Sequence, residues 1–397
     1  MQLASRVKKV KPSATLAVSA AAKEMKAKGI DVIGFGAGEP DFDTPDHIKK
    51  AAKKALDEGF TKYTPASGTE ELKQAVVDKF KRDNNLTYKK NQVIISCGGK
   101  HCLYNIYMAT LSGNDEVLIP APYWVSYPDM ALLAGARPKF IYTTEKSNFK
   151  VSPEELEKAL TDKTRLFIMN SPSNPTGAAY TKKELAALAE VLENHHCYVV
   201  CDDIYESIVY DDFKFYSFAT VAKKDLRERC LVVNGVSKTY SMTGWRIGYA
   251  AGHPDVIAAM NKIQGQSTSN PTSFAQKGAQ VALTGPQGFL KKMVGEFKKR
   301  RDYTVKTLNR MPGITCNNPQ GAFYVLPSFQ EYIGRKYKGK KIKDDVELCK
   351  FLLDEVKVAA VPGSAFGADG FIRLSYATSM KNIQEGLQRI KQGLELL

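Results

Sequence analysis

The chain has 397 residues, of which 43% are hydrophobic and 25% are charged, and its formal net charge is +15. This composition is ordinary for a soluble globular protein of two or three domains, and no apolar run reaches the roughly 18 residues that would predict a membrane span. The basic clusters at 291–301 and 336–343 contain no recognisable nucleic-acid-binding module, so we predict that they are solvated surface. The basic N-terminus lacks the apolar core of a signal peptide, and we therefore expect a cytoplasmic protein, with an organelle as the alternative location.

The seven cysteines are odd in number and irregularly spaced, which argues against a disulfide framework. Cys197 and Cys201 lie close to His195 and His196, and this combination could suggest a metal cluster. The segment runs into an apolar strand, however, where alternate side chains face opposite ways. We therefore predict buried free thiols and no metal site.

The large middle part of the chain begins with a predicted helix at 45–58, with Thr44 as its N-cap and Gly59 as its C-terminal stop. Short apolar strands are predicted at 93–97, 116–119, 165–169, 198–201 and 231–233, and amphipathic helices lie between them at 100–111 and 182–193. Nearly continuous apolar strands that alternate with helices predict an α/β fold, with a mostly parallel sheet covered on both faces. We place this large domain at 45–285.

The remaining segments predict a second, smaller α+β domain at 286–397. Its helices are expected at about 286–308, 346–355 and 380–396, and its strands at 322–326 and 371–375. Residues 1–44 are expected to form an N-terminal arm that packs with this smaller domain.

Polar residues follow several of the predicted strands, and ligands collect at strand ends in a sheet of this type. Gly99 and Lys100 open a helix after one strand, where the helix N-terminus could bind a phosphate, although an ordinary tight turn is the alternative. Asp202 ends another strand. If it is buried it needs a cationic partner, and otherwise it is a helix cap or an exposed acid.

Lys238 follows a further apolar strand, where its amine could attack a carbonyl and hold a cofactor covalently. Ser237 and Arg246 lie near it in the sequence, and an arginine can grip a phosphate with its fork of donors. Arg246 on its own would be interpreted as one half of a surface ion pair. The group as a whole predicts a reactive lysine beside an anion site.

Three further side chains have both a functional and a structural interpretation. Trp124 follows a strand end and could stack on a flat heteroaromatic ring or pack in the core. Asn174 is presented by a proline-rich loop and could bond a ligand, although N-P-T-G alone is only a turn signal. Arg373 lies in an alternating strand, where its partner could be a substrate carboxylate or an internal salt bridge.

The motifs are more specific together than alone. In chain order they are G-E-P-D-F-x-T-P, Y-x-P-x-x-G, G-G-K, P-Y-W-V-S-Y-P, S-P-x-N-P-T-G, D-D-I-Y, S-K-x-x-x-M-T-G-W-R-I-G-Y, G-A-F-Y and R-L-S-Y-A. These motifs run from Gly38 to Ala377. The resemblance, which begins near Lys11 and so spans residues 11–377, is to the fold-type I aminotransferases that use pyridoxal 5'-phosphate (PLP). More narrowly, it resembles the bacterial-type (class I-beta) aspartate aminotransferases, a group that includes prephenate-using members.

The resemblance implies a seven-stranded, mostly parallel sheet between helices, together with the smaller α+β domain. It also implies a ping-pong transfer of the amino group of L-aspartate to 2-oxoglutarate, which gives oxaloacetate and L-glutamate. Lys238 would hold PLP as a Schiff base and move the proton, with Asp202 and Tyr205 as further catalytic groups. Tyr63 would reach the phosphate of the neighbouring subunit, which implies a homodimer with two shared sites.

The resemblance also implies two sets of binding residues. The cofactor would be bound by Gly99, Lys100, Trp124, Asn174, Asp202, Tyr205, Ser237, Lys238 and Arg246, with Tyr63 from the neighbour. The substrate would be bound by Gly38, Lys100, Trp124, Asn174 and Arg373.

The choice of substrate depends on two positions. Lys100 is expected to meet the distal carboxylate of an acidic substrate. Lys9 stands nearest to the place where prephenate-using members carry an arginine, and this departure puts prephenate use in doubt. The alternatives on the same fold are an aromatic, prephenate, alanine or kynurenine aminotransferase and a PLP-dependent C–S lyase. A nucleic-acid-binding regulator is disfavoured, because no helix-turn-helix segment precedes residue 11.

Overall fold

A computed structural model describes residues 2–397 of the chain. Its helices are α1 (Ser5–Lys9), α2 (Ala14–Ala27), α3 (Asp46–Asp57), α4 (Glu70–Asn84), α5 (Gly99–Thr110), α6 (Ser126–Leu133), α7 (Pro153–Ala159), α8 (Lys182–Glu193), α9 (Lys224–Glu228), α10 (Pro254–Ser267), α11 (Ser273–Thr284), α12 (Gly288–Leu308), α13 (Asp345–Val356) and α14 (Met380–Glu395). No helix in this part of the chain combines the length and the apolar character needed to cross a bilayer.

A seven-stranded sheet forms the centre of the molecule. Its strands are β2 (Val93–Ser96), β3 (Glu116–Ala121), β4 (Arg137–Tyr142), β5 (Thr164–Asn170), β6 (Tyr198–Asp202), β7 (Cys230–Gly235) and β8 (Gly248–Ala251). They lie in the order β2-β8-β7-β6-β5-β3-β4, and only β8 runs antiparallel to its two neighbours. The predicted α/β fold with a mostly parallel seven-stranded sheet is therefore confirmed.

The two faces of this sheet each bury an apolar cluster, which explains why its strands are apolar throughout. Phe167, Val199 and Val232 belong to the cluster on one face, whereas their chain neighbours Leu166, Val200 and Leu231 belong to the cluster on the other. Because successive side chains of a strand point to opposite faces, a sheet covered on both sides needs apolar residues at both parities.

The smaller strands join the two ends of the chain. The strand β1 (Ile33–Gly34) pairs in parallel with β12 (Val358–Ala359), and a three-stranded sheet contains β9 (Tyr324–Val325), β13 (Val361–Pro362) and β14 (Ile372–Ser375). A hairpin of β10 (Lys336–Tyr337) and β11 (Lys340–Lys341) stands apart. One apolar cluster includes Phe35, Phe297, Leu352 and Ile390, so residues near the N-terminus share a core with the C-terminal part.

The helix α3 corrects one local prediction. Its N-cap is Pro45, without a capping side chain, and Thr44 lies one residue too early to cap it. The Thr44 hydroxyl instead donates to the carbonyl of Ser241 at 2.7 Å and accepts from Nε1 of Trp245 at 3.1 Å. Gly59 has a φ of +74°, and its N–H donates to the carbonyl of Leu56, so the predicted stop is confirmed.

Candidate active site

A cavity of about 570 Å³ opens at the carboxyl ends of the parallel strands. Predicted site residues line it, namely Gly38, Gly99, Lys100, Trp124, Asn174, Asp202, Tyr205, Ser237, Lys238, Arg246 and Arg373. Tyr63 is absent from this wall, and it is 92% exposed. The cavity thus brings together the residues predicted for one subunit and leaves out the one assigned to a neighbour.

Lys238 lies in the turn after β7, and its side chain points into the cavity. Its Nζ donates a 2.5 Å hydrogen bond to the carbonyl of Gly38, which lies 200 residues away in sequence. Burial lowers the pKa of Lys238 from 10.5 to about 8, and the nearby positive charges of Arg246 and Arg373 lower it further against the opposite effect of Glu39. A larger fraction of the amine is therefore neutral and nucleophilic near neutral pH.

Asp202 is a buried carboxylate at the end of β6. The hydroxyl of Tyr127 donates to its Oδ2 at 2.6 Å, and the N–H of Ile204 makes a long contact of 3.4 Å with Oδ1. Burial raises the pKa of Asp202 from 3.8 to about 6, and the bond from Tyr127 opposes this rise. Within residues 2–397 this carboxylate has no ion-pair partner, and a cationic group in the cavity would stabilise its charged form.

A guanidinium lies beside a helix N-terminus where α5 begins. Gly98 has a φ of +92°, and a Cβ at this position would lie only 2.4 Å from Nη2 of Arg246. Arg246 itself donates to the carbonyls of Thr243 and Cys97 at 2.9 and 3.2 Å, so its guanidinium is held beside the N-terminus of α5. A guanidinium and the free N–H groups of a helix start are a suitable site for a phosphate.

Close packing of backbone brings this helix start onto the sheet. A Cβ at Gly248 would lie 2.2 Å from the backbone nitrogen of Gly99, so β8 tolerates no larger residue there. The N-terminus of α5 is thereby fixed directly over the sheet, next to the loop that carries Ser237.

Arg373 is a buried cation without an acidic partner. It is 2% exposed, and it donates to the carbonyl of Gly36 at 2.7 Å and to Oδ1 of Asn174 at 3.1 Å, while its Nε has no partner. The ring of Tyr324 lies under the guanidinium, with 4.6 Å between Cζ and the ring centroid. The structure thus excludes the internal salt bridge, and such a charge calls for an anionic ligand in the cavity.

The cavity lining also contains an aromatic and cationic pair. The Nζ of Lys100 lies 4.9 Å from the ring centroid of Trp124. Partial burial lowers the pKa of Lys100, the charge of Arg246 lowers it further, and Asp129 acts in the opposite direction. Two further lining residues, Tyr205 and Tyr324, share a 2.8 Å hydrogen bond between their hydroxyls.

Three residues of this site were not assigned from the sequence. Tyr127 and Tyr324 lie inside quoted motifs, but nothing in the sequence shows which way their side chains point. Asn170 donates from Nδ2 to the backbone carbonyl of Asp202 at 2.9 Å and accepts from the N–H of Asn174 at 3.0 Å, so it joins two strand ends. Its place as the last residue of β5 is the signal that could have identified it.

Comparison with known proteins adds an independent line of evidence. The family model described as aminotransferase class I and II matches residues 30–390. A protein of Cereibacter sphaeroides named aspartate/prephenate aminotransferase is 53% identical over 391 residues, which are 98% of each chain. The crystal structure of the aspartate aminotransferase from Rhizobium meliloti superposes with a TM-score of 0.96 at 46% identity and covers 100% of both chains. The aspartate aminotransferase from Thermus thermophilus with maleate gives a TM-score of 0.93 at 41% identity, over 99% of this chain and 100% of the other.

Proposed function

The chain belongs to the class I and II aminotransferases, and from this premise we propose that it transfers the amino group of L-aspartate to 2-oxoglutarate with PLP as cofactor. The products are oxaloacetate and L-glutamate. The observation that carries the proposal is the buried, acid-free Arg373 in the same cavity as Lys238. The carboxylate of an α-amino acid can pair with Arg373, and its amine then lies at the reactive centre beside Lys238.

The residues of the cavity fit PLP group by group. The start of α5, Arg246 and Ser237 would bind the phosphate. The carboxylate of Asp202, which has no ion-pair partner in residues 2–397, would pair with the protonated ring nitrogen. Asn174 and Tyr205 would bond the ring oxygen, Trp124 would stack on the ring, and Lys238 would attach the aldehyde carbon. When bound, PLP supplies an electron-poor ring that takes up the negative charge developing on the substrate Cα.

The protein's own groups orient the substrate and move its proton. Arg373 would bind the α-carboxylate through two parallel hydrogen bonds, and the segment at Gly36 and Gly38 would position it, because Arg373 and Lys238 each bond a carbonyl of this segment. Once the substrate amine had displaced Lys238 from the cofactor, the free Nζ of Lys238 would take the proton from the substrate Cα and pass it to C4′ of PLP. A pKa of about 8 lets Lys238 adopt both protonation states near neutral pH.

Selectivity for a dicarboxylic substrate is assigned to Lys100. Its Nζ stands over Trp124 at the cavity wall, without an ion-pair partner in residues 2–397. A distal carboxylate would supply that partner. The maleate that the Thermus thermophilus relative holds is a dicarboxylate, which supports the same substrate class here.

Prephenate is a second candidate acceptor. It carries a 2-oxo acid and a second carboxylate, and the relative from Cereibacter sphaeroides is named for both aspartate and prephenate. Lys9 is the residue on which prephenate use is expected to depend, because it stands nearest to the place where prephenate-using members are expected to have arginine. A Lys9→Arg variant assayed with prephenate and glutamate tests this: no prephenate turnover in the wild type or the variant would exclude the activity.

The proposal includes a homodimer in the cytoplasm with shared active sites. Tyr63 is 92% exposed, although it is a large aromatic residue in a segment otherwise tied to α11, which supports a contact with a second subunit. Cell fractionation tests the location, and mixing of subunits that carry Lys238→Ala or Tyr63→Ala tests whether the active sites are shared.

A single-turnover reaction tests the proposed function. The absorbance of the PLP-loaded enzyme is followed after mixing with aspartate, glutamate, alanine, tyrosine or kynurenine. Fast conversion with aspartate is expected, and Lys238→Ala should abolish it. Lys262→Ala, which changes an exposed lysine outside the cavity, is the control and should react normally. Conversion only with neutral or aromatic donors would exclude the aspartate assignment.

A further inference from the structure

The carboxylate of Asp202 depends on one neighbouring side chain. Among residues 2–397, Tyr127 is the only residue whose side chain donates a hydrogen bond to it, from the hydroxyl to Oδ2 at 2.6 Å. Both residues are buried, and Tyr127 is only 2% exposed. The bond is short and charge-assisted when Asp202 is ionised, and such bonds are stronger than those between neutral groups.

The ring of Tyr127 is held in place by its surroundings. Its backbone N–H donates to the carbonyl of Trp124 at 3.0 Å, and the two aromatic rings meet edge to face with centroids 5.3 Å apart and an interplanar angle of 85°. The hydroxyl therefore points at Asp202 from a fixed direction. It occupies Oδ2 and leaves Oδ1 with only the long contact to Ile204.

We propose that Tyr127 is a positioning residue, whose hydroxyl fixes Oδ2 of Asp202, stabilises the ionised carboxylate and leaves Oδ1 available to the ring nitrogen of PLP. This inference rests on the proposed function, because PLP is the group that Asp202 would meet. It goes beyond that function because it makes the interaction between Asp202 and the ring nitrogen of PLP depend on Tyr127, which is not among the residues assigned to bind the cofactor.

The structure also supplies a matched control residue on α5. Tyr107 is fully buried, its hydroxyl has no hydrogen-bond partner within residues 2–397, and the charge of Asp202 contributes to raising its pKa. Tyr107→Phe therefore removes the same atom as Tyr127→Phe, near the same carboxylate, but breaks no bond to it.

The pH dependence of PLP binding separates positioning from packing. The titratable groups that act on or sense Asp202 come from α5, α6, the turn after β6 and the loop after β7, and they are Cys102, Tyr107, Tyr127, Asp203, Tyr205 and Lys238. Without the donor from Tyr127, Asp202 takes up its proton at a higher pH. Affinity for PLP, which requires the ionised carboxylate, should then be lost at a higher pH in Tyr127→Phe than in the wild type.

The experiment measures the Kd of PLP by calorimetry on the apoenzymes, from about pH 5.5 to about pH 8.5, around the range where perturbed carboxylates titrate. Tyr127→Phe should bind PLP about 10- to 100-fold more weakly at neutral pH, and its acid limb should move to higher pH. Tyr107→Phe should stay within about twofold of the wild type, as expected where no hydrogen bond is lost. In an Asp202→Asn background, Tyr127→Phe should have little further effect.

The outcomes distinguish the two proposals. If the wild type binds PLP and Tyr127→Phe behaves like Tyr107→Phe, the inference is wrong and the proposed function stands. A loss of affinity that is equal at every pH, or that persists fully in Asp202→Asn, would mean that Tyr127 acts through packing and would also overturn the inference. Absence of PLP binding by the folded wild type would overturn both proposals together.

Discussion

At the scale of single residues, the site holds several charges in surroundings that disfavour them. Arg373 is buried without an acid, Asp202 is buried without a cation, and the pKa of Lys238 is lowered to about 8 by burial. Each of these groups would be relieved by one part of PLP or of an amino acid. Functional sites commonly store such unfavourable electrostatics, which ligand binding then offsets.

The lysine gives the first prediction, which concerns stability without cofactor. The folded-state pKa of Lys238 is about 8, below the usual 10.5, so between these two pH values the unfolded chain binds a proton that the folded chain has lost. The resulting cost to folding is greatest below about pH 8 and disappears as the pH rises to 10.5. Lys238→Met should therefore stabilise the apoenzyme at pH 7, by up to about 3 kcal/mol from this charge alone, and the gain should shrink as the pH rises toward 10.5. Urea unfolding at several pH values measures it. A gain that does not change with pH would show that the charge of Lys238 is not responsible.

The second prediction concerns the choice of substrate. Lys100→Met should lower kcat/KM for aspartate and glutamate by about 10- to 100-fold, because it removes the cation assigned to the distal carboxylate. Alanine, which has no distal carboxylate, should lose little. Arg373→Lys is the comparison, since it should raise KM for all three donors. Equal losses for aspartate and alanine in Lys100→Met would contradict the assignment.

At the scale of elements, the accuracy of the sequence predictions follows from burial. The strands β5, β6 and β7 were predicted to within two residues at each end, because burial on both faces requires a continuous apolar run. No segment was named for β4 or β8. The strand β4 lies at the edge of the sheet, and its residues Arg137, Lys139 and Tyr142 are exposed, so it lacks a continuous apolar run. The strand β8 is buried but consists of one glycine, one tyrosine and two alanines, which do not form the branched apolar run that predicts a strand.

The sequence indicated which residues lie at the site, but it did not indicate which way their side chains point. Strand ends and motifs indicated Lys238, Asp202 and Arg373, whereas the direction of the Tyr127 hydroxyl depends on how α6 packs. The Thr44 prediction was wrong because a bond to Ser241, 197 residues away, replaced a local helix cap. Contacts of that kind carry no local sequence signal.

The third prediction concerns the contact between β8 and the start of α5. Gly248→Ala would place a Cβ 2.2 Å from the backbone nitrogen of Gly99, and backbone cannot yield as a side-chain tip can. We expect a loss of about 1–3 kcal/mol in stability and weaker PLP binding. Gly265→Ala on α10, where a Cβ meets nothing within 4 Å, is the control and should be neutral or slightly stabilising. Thermal unfolding and PLP titration measure both, and unchanged PLP affinity in Gly248→Ala would be evidence against this anion site.

At the scale of the whole molecule, the proposed division is an arm at 1–44, a large domain at 45–285 and a small domain at 286–397. The shared core of Phe35, Phe297 and Ile390 supports the packing of the arm with the small domain. Limited proteolysis should cut first near the short segment between α11 and α12 if the boundary lies there, and initial cuts inside α12 would place it elsewhere.

The fourth prediction tests the shared site. Lys238→Ala and Tyr63→Ala should each be nearly inactive as homodimers. If Tyr63 serves the partner's site, subunit exchange between the two variants creates a mixed dimer with one intact site, and an equal mixture should recover about a quarter of wild-type activity. If Tyr63 serves its own subunit, both sites of the mixed dimer carry a defect and no activity returns. Size-exclusion chromatography checks that exchange has taken place.

The carbonyls of Gly36 and Gly38 have a consequence for how the protein is made. They bond Arg373 and Lys238 across 337 and 200 residues, so the cavity needs both an early and a very late part of the chain. A nascent chain on the ribosome has no finished cavity until Arg373 has left the exit tunnel. The pocket assigned to the substrate carboxylate is therefore completed only when synthesis is almost finished, and a chain that ended before Arg373 would lack the buried guanidinium of that pocket.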